Sequence, residues 1–253
     1  MKLHPAAILA ALVAACAAPA HAAETPSAPA PATVTTPADK PATTVSLRIR
    51  VFRERMAQID ADLAALTPDT TATVVMLGDS ITEGFRAKEL GGLKVMNQGI
   101  NSDPIRVPDG GEGGVLSRVD KVKAARPAHV FLLIGINDFG GGKPVDKAEA
   151  DYRELVAELR KAVPDAKLHL QTLLPTRGRY AHLNASVTEM NKRLVGIAKD
   201  AGADLVDLFA VMADDKGELR EEITGDGLHI RPNGYDLWMK KLESIAAPKT
   251  SRI

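Results

Sequence analysis

Ser80, Asp226 and His229 are the residues of this sequence whose types and spacing best suit shared chemistry. A serine hydroxyl becomes a nucleophile at neutral pH when a base takes its proton, and histidine is the usual base. The histidine needs an acceptor that fixes its tautomer and stabilises its cation. Asp226 precedes His229 by three residues in Asp226-Gly227-Leu228-His229, so it can orient the ring from the same turn. The chemistry such a set serves is nucleophilic attack by Ser80, with His229 accepting and returning the proton. Donors must also face the developing oxyanion. The candidates are the backbone N–H groups of Ser80 and Gly99 and the side-chain amide of Asn137. Gly99 has no side chain, so its backbone can approach a ligand closely. No cofactor is needed.

Each residue also has a plainer reading. Ser80 can cap a helix, His229 can lie in a surface turn, and Asp226 can be a turn residue between Gly225 and Gly227. Asn137 can form an Asx turn, and Gly99 can serve any tight turn. Asp79 and Asp138 read as carboxylates accepting loop N–H bonds rather than as metal ligands, because no His/Cys cluster has zinc spacing. His129 and His169 fall in strands and read as core or sheet-edge residues. Arg177, Arg179 and His182 follow the fourth strand and either touch an acidic or sugar substrate or form a solvated loop.

Converging these residues requires a scaffold, and the hydrophobic pattern supplies one. Apolar positions recur at helical spacing from Leu47 to Leu66, and Thr67-Pro68 ends that helix. Five short apolar segments then read as strands: the β-branched run TATVVMLGDS, which closes in a Gly turn, Lys94 to Asn97, Ala128 to Ile134, Lys167 to Leu173 and Ala203 to Val206. Helical patterns over Val115–Ala125, Pro144–Val163, Leu183–Ala201 and Pro232–Ile245 alternate with them. Such alternation predicts a five-stranded parallel sheet with helices on both faces. Ligands of such sheets bind outside the carboxyl ends of the strands. Gly78-Asp79-Ser80, Asn97-Gln98-Gly99, Gly135-Ile136-Asn137-Asp138 and the loop to His229 all follow strands, so all lie on that edge.

The blocks GDSITEGF, NQGI, GIND and DGLHIRPNGY, in this order, resemble the four signature blocks of the SGNH (GDSL) hydrolase family, with Ile81 where the family name has Leu. The resemblance spans about Thr73 to Ser244. It implies a flavodoxin-like three-layer α/β/α sandwich and hydrolysis of small esters, with Ser80 as nucleophile. Asp226 and His229 would complete the triad, and Gly99 and Asn137 would be oxyanion donors beside the Ser80 N–H. The absence of a G-x-S-x-G elbow disfavours an ordinary α/β-hydrolase. The chain departs from many relatives after Asp103, where PIRVPDGGEGG precedes VLSRV. This stretch either shapes substrate access or is a tolerated surface loop.

The bulk numbers bound the rest. The 253 residues suit one domain with tails. Lys+Arg and Asp+Glu balance at 32 each, which argues against a general nucleic-acid partner. Aromatics at 4% weaken a carbohydrate-binding-module reading. Cys16 is the single cysteine, so no disulfide forms within the chain.

Residues 1–22 read as a signal peptide with a small-x-small site at Ala20-His21-Ala22. Val13-Ala14-Ala15-Cys16 competes as a lipobox, in which a lipid on Cys16 would be the one tie to a membrane. Residues 17–45, mostly Ala, Pro and Thr, read as a tether, and 46–253 as the hydrolase domain. The expected location is the periplasm or cell envelope, or outside the cell. The expected substrate is a small ester or an acylated carbohydrate with a short acyl group such as acetyl. A lysophospholipase, a thioesterase and an O-acetyltransferase use the same chemistry. A non-catalytic envelope protein is the reading of a different class, and the complete constellation argues against it.

Overall fold

The computed structural model of the chain describes residues 46–67 and 73–246. The signal peptide, lipobox and tether read from residues 1–45 lie outside the described residues. Helix α1 (Leu47–Ala64) begins at Ser46, whose Oγ accepts from the Ile49 N–H. It buries Phe52 and Ile59. Strand β1 (Thr73–Gly78) follows, and all six of its residues are buried, as expected of a central strand covered on both faces.

The remaining strands are β2 (Glu89–Leu90), β3 (Leu93–Gly99), β4 (Pro127–Leu133), β5 (Lys167–Gln171) and β6 (Asp204–Val206). They form one sheet in the order β2-β3-β1-β4-β5-β6. The five expected strands are all parallel. A sixth, the two-residue β2, pairs antiparallel with β3 through the turn at Gly91-Gly92 and closes one edge. The expected α/β architecture is therefore present, with one short edge strand added to it.

Five longer or site-bearing helices follow β1: α2 (Ser80–Glu83), α4 (Ile136–Gly140), α5 (Val145–Ala162), α6 (Asn184–Asp200) and α8 (Pro232–Ala246). The short α3 (Val119–Ala124) and α7 (Phe209–Met212) complete the set. The helix expected over Val115–Ala125 is divided, with a 3-10 turn at Val115–Arg118 running into α3. Gly113 and Gly114, both at positive φ, feed that turn and set its tighter start. Helices α1, α3, α5 and α6 pack side by side, while α7 and α8 pack together. The right-handed crossover rule puts α3, α5 and α6 on one face of the sheet and α2 on the other, and Tyr235 of α8 reaches Ile81 of α2. Among the described residues, no helix is long and apolar enough to cross a membrane.

The strand order reverses direction at β1. The chain leaves β1 for β3 on one side and returns to β4 on the other. The loops after β1, β3 and β4 therefore part at one crevice, where such sheets bind ligands.

Candidate active site

Ser80 is the first residue of α2, directly after β1. Asp79 caps that helix, its Oδ1 accepting the Ile81 N–H at 3.0 Å. As the first helical residue, Ser80 has no intrahelical acceptor for its own N–H. The far end of α2 is held by side chains. Asn97 Nδ2 donates to the carbonyls of Thr82 and Phe85 at 2.7 Å each, and the Tyr235 hydroxyl donates to Ile81 O at 2.9 Å.

The Ser80 Oγ lies 3.0 Å from His229 Nε2. His229 Nδ1 lies 2.7 Å from Asp226 Oδ2. The other Asp226 oxygen, Oδ1, accepts the N–H groups of Leu228 and His229, both at 2.9 Å. One carboxylate thus shapes the turn and holds the ring that the turn carries. Burial works to raise the Asp226 carboxyl. The hydrogen bonds from the His229 ring and from the two N–H groups outweigh burial and hold it at about 2. Gly227 has φ 89°, and the Arg177 backbone fills the space a side chain would need there. Arg177 N donates to Gly227 O at 2.8 Å, tying this turn to the loop after β5.

Asn137 follows β4 in α4, and its Nδ2 donates to Asp103 O at 3.0 Å. The Gly99 N–H, expected to face the oxyanion, does not do so. It donates to Asn97 Oδ1 at 2.8 Å, and the glycine's open face lies against the Thr82–Glu83 backbone. Three residues on, Ser102 adopts φ 60°, a left-handed conformation uncommon outside glycine. Among the described residues its N–H has no hydrogen-bond partner, whereas those of its neighbours do. Asn101 N donates to Glu83 Oε2 at 2.7 Å, and Asp103 N to Ile100 O at 3.2 Å.

Behind this turn is a buried ion pair that the sequence did not single out. Arg118 Nε and Nη2 lie 3.1 and 3.0 Å from Asp103 Oδ2, and neither side chain is exposed beyond 1%. The remaining guanidinium donors go to Gln98 O at 2.6 Å and Gly78 O at 2.9 Å. Arg118 thereby ties together the ends of β1 and β3. Its signal in the sequence was the VLSRV segment, where the charge at the fourth position interrupts an apolar run.

The 103–114 stretch is anchored on both sides. Arg53 makes a bidentate pair with Glu112, 2.8 Å on each arm. Arg106 pairs with Asp151 and Glu154 of α5. Asp138 accepts the Ile105 N–H at 2.9 Å and pairs with Lys143, and this, like the Asp79 cap, is the structural use expected of it.

Arg177, Arg179 and His182, which follow β5, make contacts within the protein. Arg177 pairs with Asp214 and Glu218, Arg179 lies over the Tyr180 ring, and His182 Nδ1 meets Arg179 O at 2.9 Å. His129 and His169 are buried in β4 and β5. Among the described residues, no group of three or more His, Cys, Asp or Glu is arranged to hold a metal ion.

The sequence model of the GDSL-like lipase/acylhydrolase family matches residues 76–237. The chain belongs to that family. As a GDSL-like acylhydrolase it is a carboxylic ester hydrolase, a class that acts on small esters. It is 26% identical over 221 residues to the isoamyl acetate-hydrolyzing esterase 1 homolog of Bos taurus, covering 76% of this chain and 88% of the bovine protein. Among solved structures, a GDSL-like lipase from Bacteroides thetaiotaomicron superposes with a TM-score of 0.62 at 23% identity, over 77% of this chain and 98% of that one. An acetylxylan esterase from Geobacillus stearothermophilus does so with a TM-score of 0.57 at 19% identity, over 73% and 98%. At these identities the two structures speak for the fold.

Proposed function

We propose that this GDSL-like acylhydrolase is an exported serine esterase that cleaves short-chain, acetyl-type esters, including those on carbohydrates, through Ser80, His229 and Asp226. The observation that carries the reading is the unbroken line from Ser80 Oγ to His229 Nε2, and from His229 Nδ1 to Asp226, at 3.0 and 2.7 Å.

In this reading His229 takes the Ser80 proton as Oγ attacks the ester carbonyl. Asp226, anionic throughout, stabilises the imidazolium. His229 then gives the proton to the departing alcohol. Water enters, His229 deprotonates it, and the acyl-enzyme is released as acid. The carbonyl oxygen gathers charge in both steps. The donors suited to it are the free N–H groups of Ser80 and Ser102 and the second Nδ2 proton of Asn137. Ser102 takes the part first expected of Gly99.

The preference for a short acyl group is supported by the bovine relative's name, which points to an acetate ester. Export rests on the signal-peptide reading of residues 1–22.

The test is hydrolysis of p-nitrophenyl esters from acetyl to palmitoyl by the wild type and by Ser80→Ala. Loss of the serine should lower kcat by about 10⁴-fold or more, with acetyl the best wild-type substrate. A fully active Ser80→Ala variant refutes the triad, and a preference for palmitoyl refutes the short acyl group.

A further inference from the structure

We propose that helix α1 is a positioning element of the active site, and that Arg55 is the residue through which it aligns the turn carrying Ser102. The proposal rests on the esterase reading above. It concerns a helix that lies wholly outside the family-matched residues 76–237.

Strand β3, beside the strand that leads to Ser80, leaves part of its outer edge open. Past Val95, whose N–H still bonds Lys88 O, β3 has no neighbouring strand on its outer side, because β2 pairs only Leu93 and Lys94. The carbonyls of Asn97 and Gly99 point away from β1 at that edge. Arg55, on the middle of α1, supplies what a neighbouring strand would have supplied. Its Nη2 donates to Asn97 O at 2.6 Å and its Nε to Gly99 O at 3.0 Å. A planar fork can satisfy two carbonyls two residues apart, and an ammonium cannot do so with one geometry. Gln58 Oε1 accepts from Nη1 at 3.1 Å and fixes the fork from its own helix.

Apolar packing adds a second hold. Ile100 is fully buried, and with Phe52 and Ile59 of α1 it forms a small cluster separate from the main core. Met56 and Leu63 flank that cluster. Ile100 directly precedes the turn whose Ser102 sits at φ 60°. The strained turn is thus gripped on its amino side by α1, in the middle by Glu83 on Asn101 N, and on its carboxyl side by Asp103–Arg118. A backbone conformation of this kind persists only where its surroundings determine it. Removing the α1 grip should let the turn relax, misdirecting the Ser102 N–H without touching Ser80 or His229.

Arg55 also lines a cavity of about 500 Å³ together with Glu83, Arg86 and Asn97. A small cation can therefore reach the place of a deleted guanidinium, and this sets the experiment. In the full chain, Arg55→Ala should lower kcat for p-nitrophenyl acetate by about ten- to a hundredfold, the scale of a small misplacement of a reacting group. KM should stay within about threefold. Added guanidinium should restore much of the loss in Arg55→Ala and do nothing for the wild type.

Arg55→Lys should fall between the two, and it serves in place of Arg55→Ala if the latter does not fold. Amide exchange at residues 100–103 should quicken in the variant, a readout independent of catalysis, while the β4 amides stay slow. Wild-type kcat in the variants overturns the proposal. So does a loss that guanidinium leaves untouched, or unchanged exchange at 100–103. Ser80→Ala measured alongside separates failures. If it equals the wild type, the esterase reading falls, whereas unaffected Arg55 variants in a Ser80-dependent enzyme count against α1 alone.

Discussion

Arg118 and Asp103 form a fully buried ion pair at the ends of β1 and β3, and the guanidinium also reaches Gln98 O and Gly78 O. Asp103 uses its second oxygen, Oδ1, to accept the Gly114 N–H at 2.7 Å. Removing one partner leaves the other charge buried and alone. Arg118→Met should therefore cost about 3–5 kcal/mol, read by urea unfolding. Arg118→Lys should recover only part of that, because an ammonium cannot replace the fork. A loss near zero for Arg118→Met would mean the pair does not hold the two strand ends.

Asn137 faces the crevice with one amide proton bonded to Asp103 O. Its truncation to alanine removes a side-chain donor without disturbing the triad. Steady-state kinetics should show kcat down by about 10²–10³ with little change in KM, the cost of one oxyanion donor. A change confined to KM would assign Asn137 to substrate binding instead.

Ser102→Gly tests the turn from the opposite direction. Glycine keeps the N–H and relieves the left-handed backbone, a gain of about 1–2 kcal/mol that its larger unfolded-state entropy reduces by about half. The variant should melt slightly higher and keep kcat within about twofold. A large fall in kcat would show that the Ser102 hydroxyl, 2.6 Å from Asn101 Oδ1, matters as well.

Asp226 at about 2 lies below the ordinary aspartate range, so it stays charged throughout any practical assay. It should therefore place no inflection above about pH 3 in the kcat/KM profile. Asp226→Asn keeps the shape but presents the wrong partner to the His229 Nδ1–H. Its kcat should fall by about 10⁴. A fall of less than tenfold would make His229 self-sufficient.

His129 and His169 give the fold an acid limit. His129 Nδ1 and His169 Nε2 are 2.8 Å apart, and His169 stacks on Phe131 with ring centroids 4.3 Å apart. His169 Nδ1 is 3.2 Å from Asp204 Oδ2 but off the line of a good hydrogen bond. Burial first, then the neighbouring His129, push the His169 ring down to about 4. An unfolded histidine binds its proton near 6.5, so between 6.5 and 4 the unfolded chain holds more protons. Stability is full above 6.5 and falls as the pH drops towards 4. Thermal melts across that range should show the fall, and His169→Gln should flatten it. Equal slopes would place the acid sensitivity elsewhere.

Much of the architecture was legible because the central strands are continuous apolar runs. Val74-Val75-Met76-Leu77 and Val130-Phe131-Leu132-Leu133 are buried throughout, and such runs announce themselves. Strand β2 was not legible, since two residues beside Gly91-Gly92 carry no periodicity. Ser80, Asp226 and His229 could be singled out by type and spacing, because Ser80 follows the apolar run of β1 and the other two share one turn. Two features were not. Arg118 is a charge with no exposure, against the usual rule that arginine lies outside. The N–H of Gly99 is taken by Asn97, a side-chain contact two residues away that a backbone reading from sequence passes over. The helical period of α1 could be read, but not its purpose, since nothing in LRIRVFRERM says which of four arginines meets β3.

Ser80 and His229 are 149 positions apart, and Tyr235 reaches back 154 positions to Ile81. Ser80 and His229 therefore meet only once the segments around β1 and α8 have packed together. A fragment that lacks either segment holds an isolated serine or an isolated histidine.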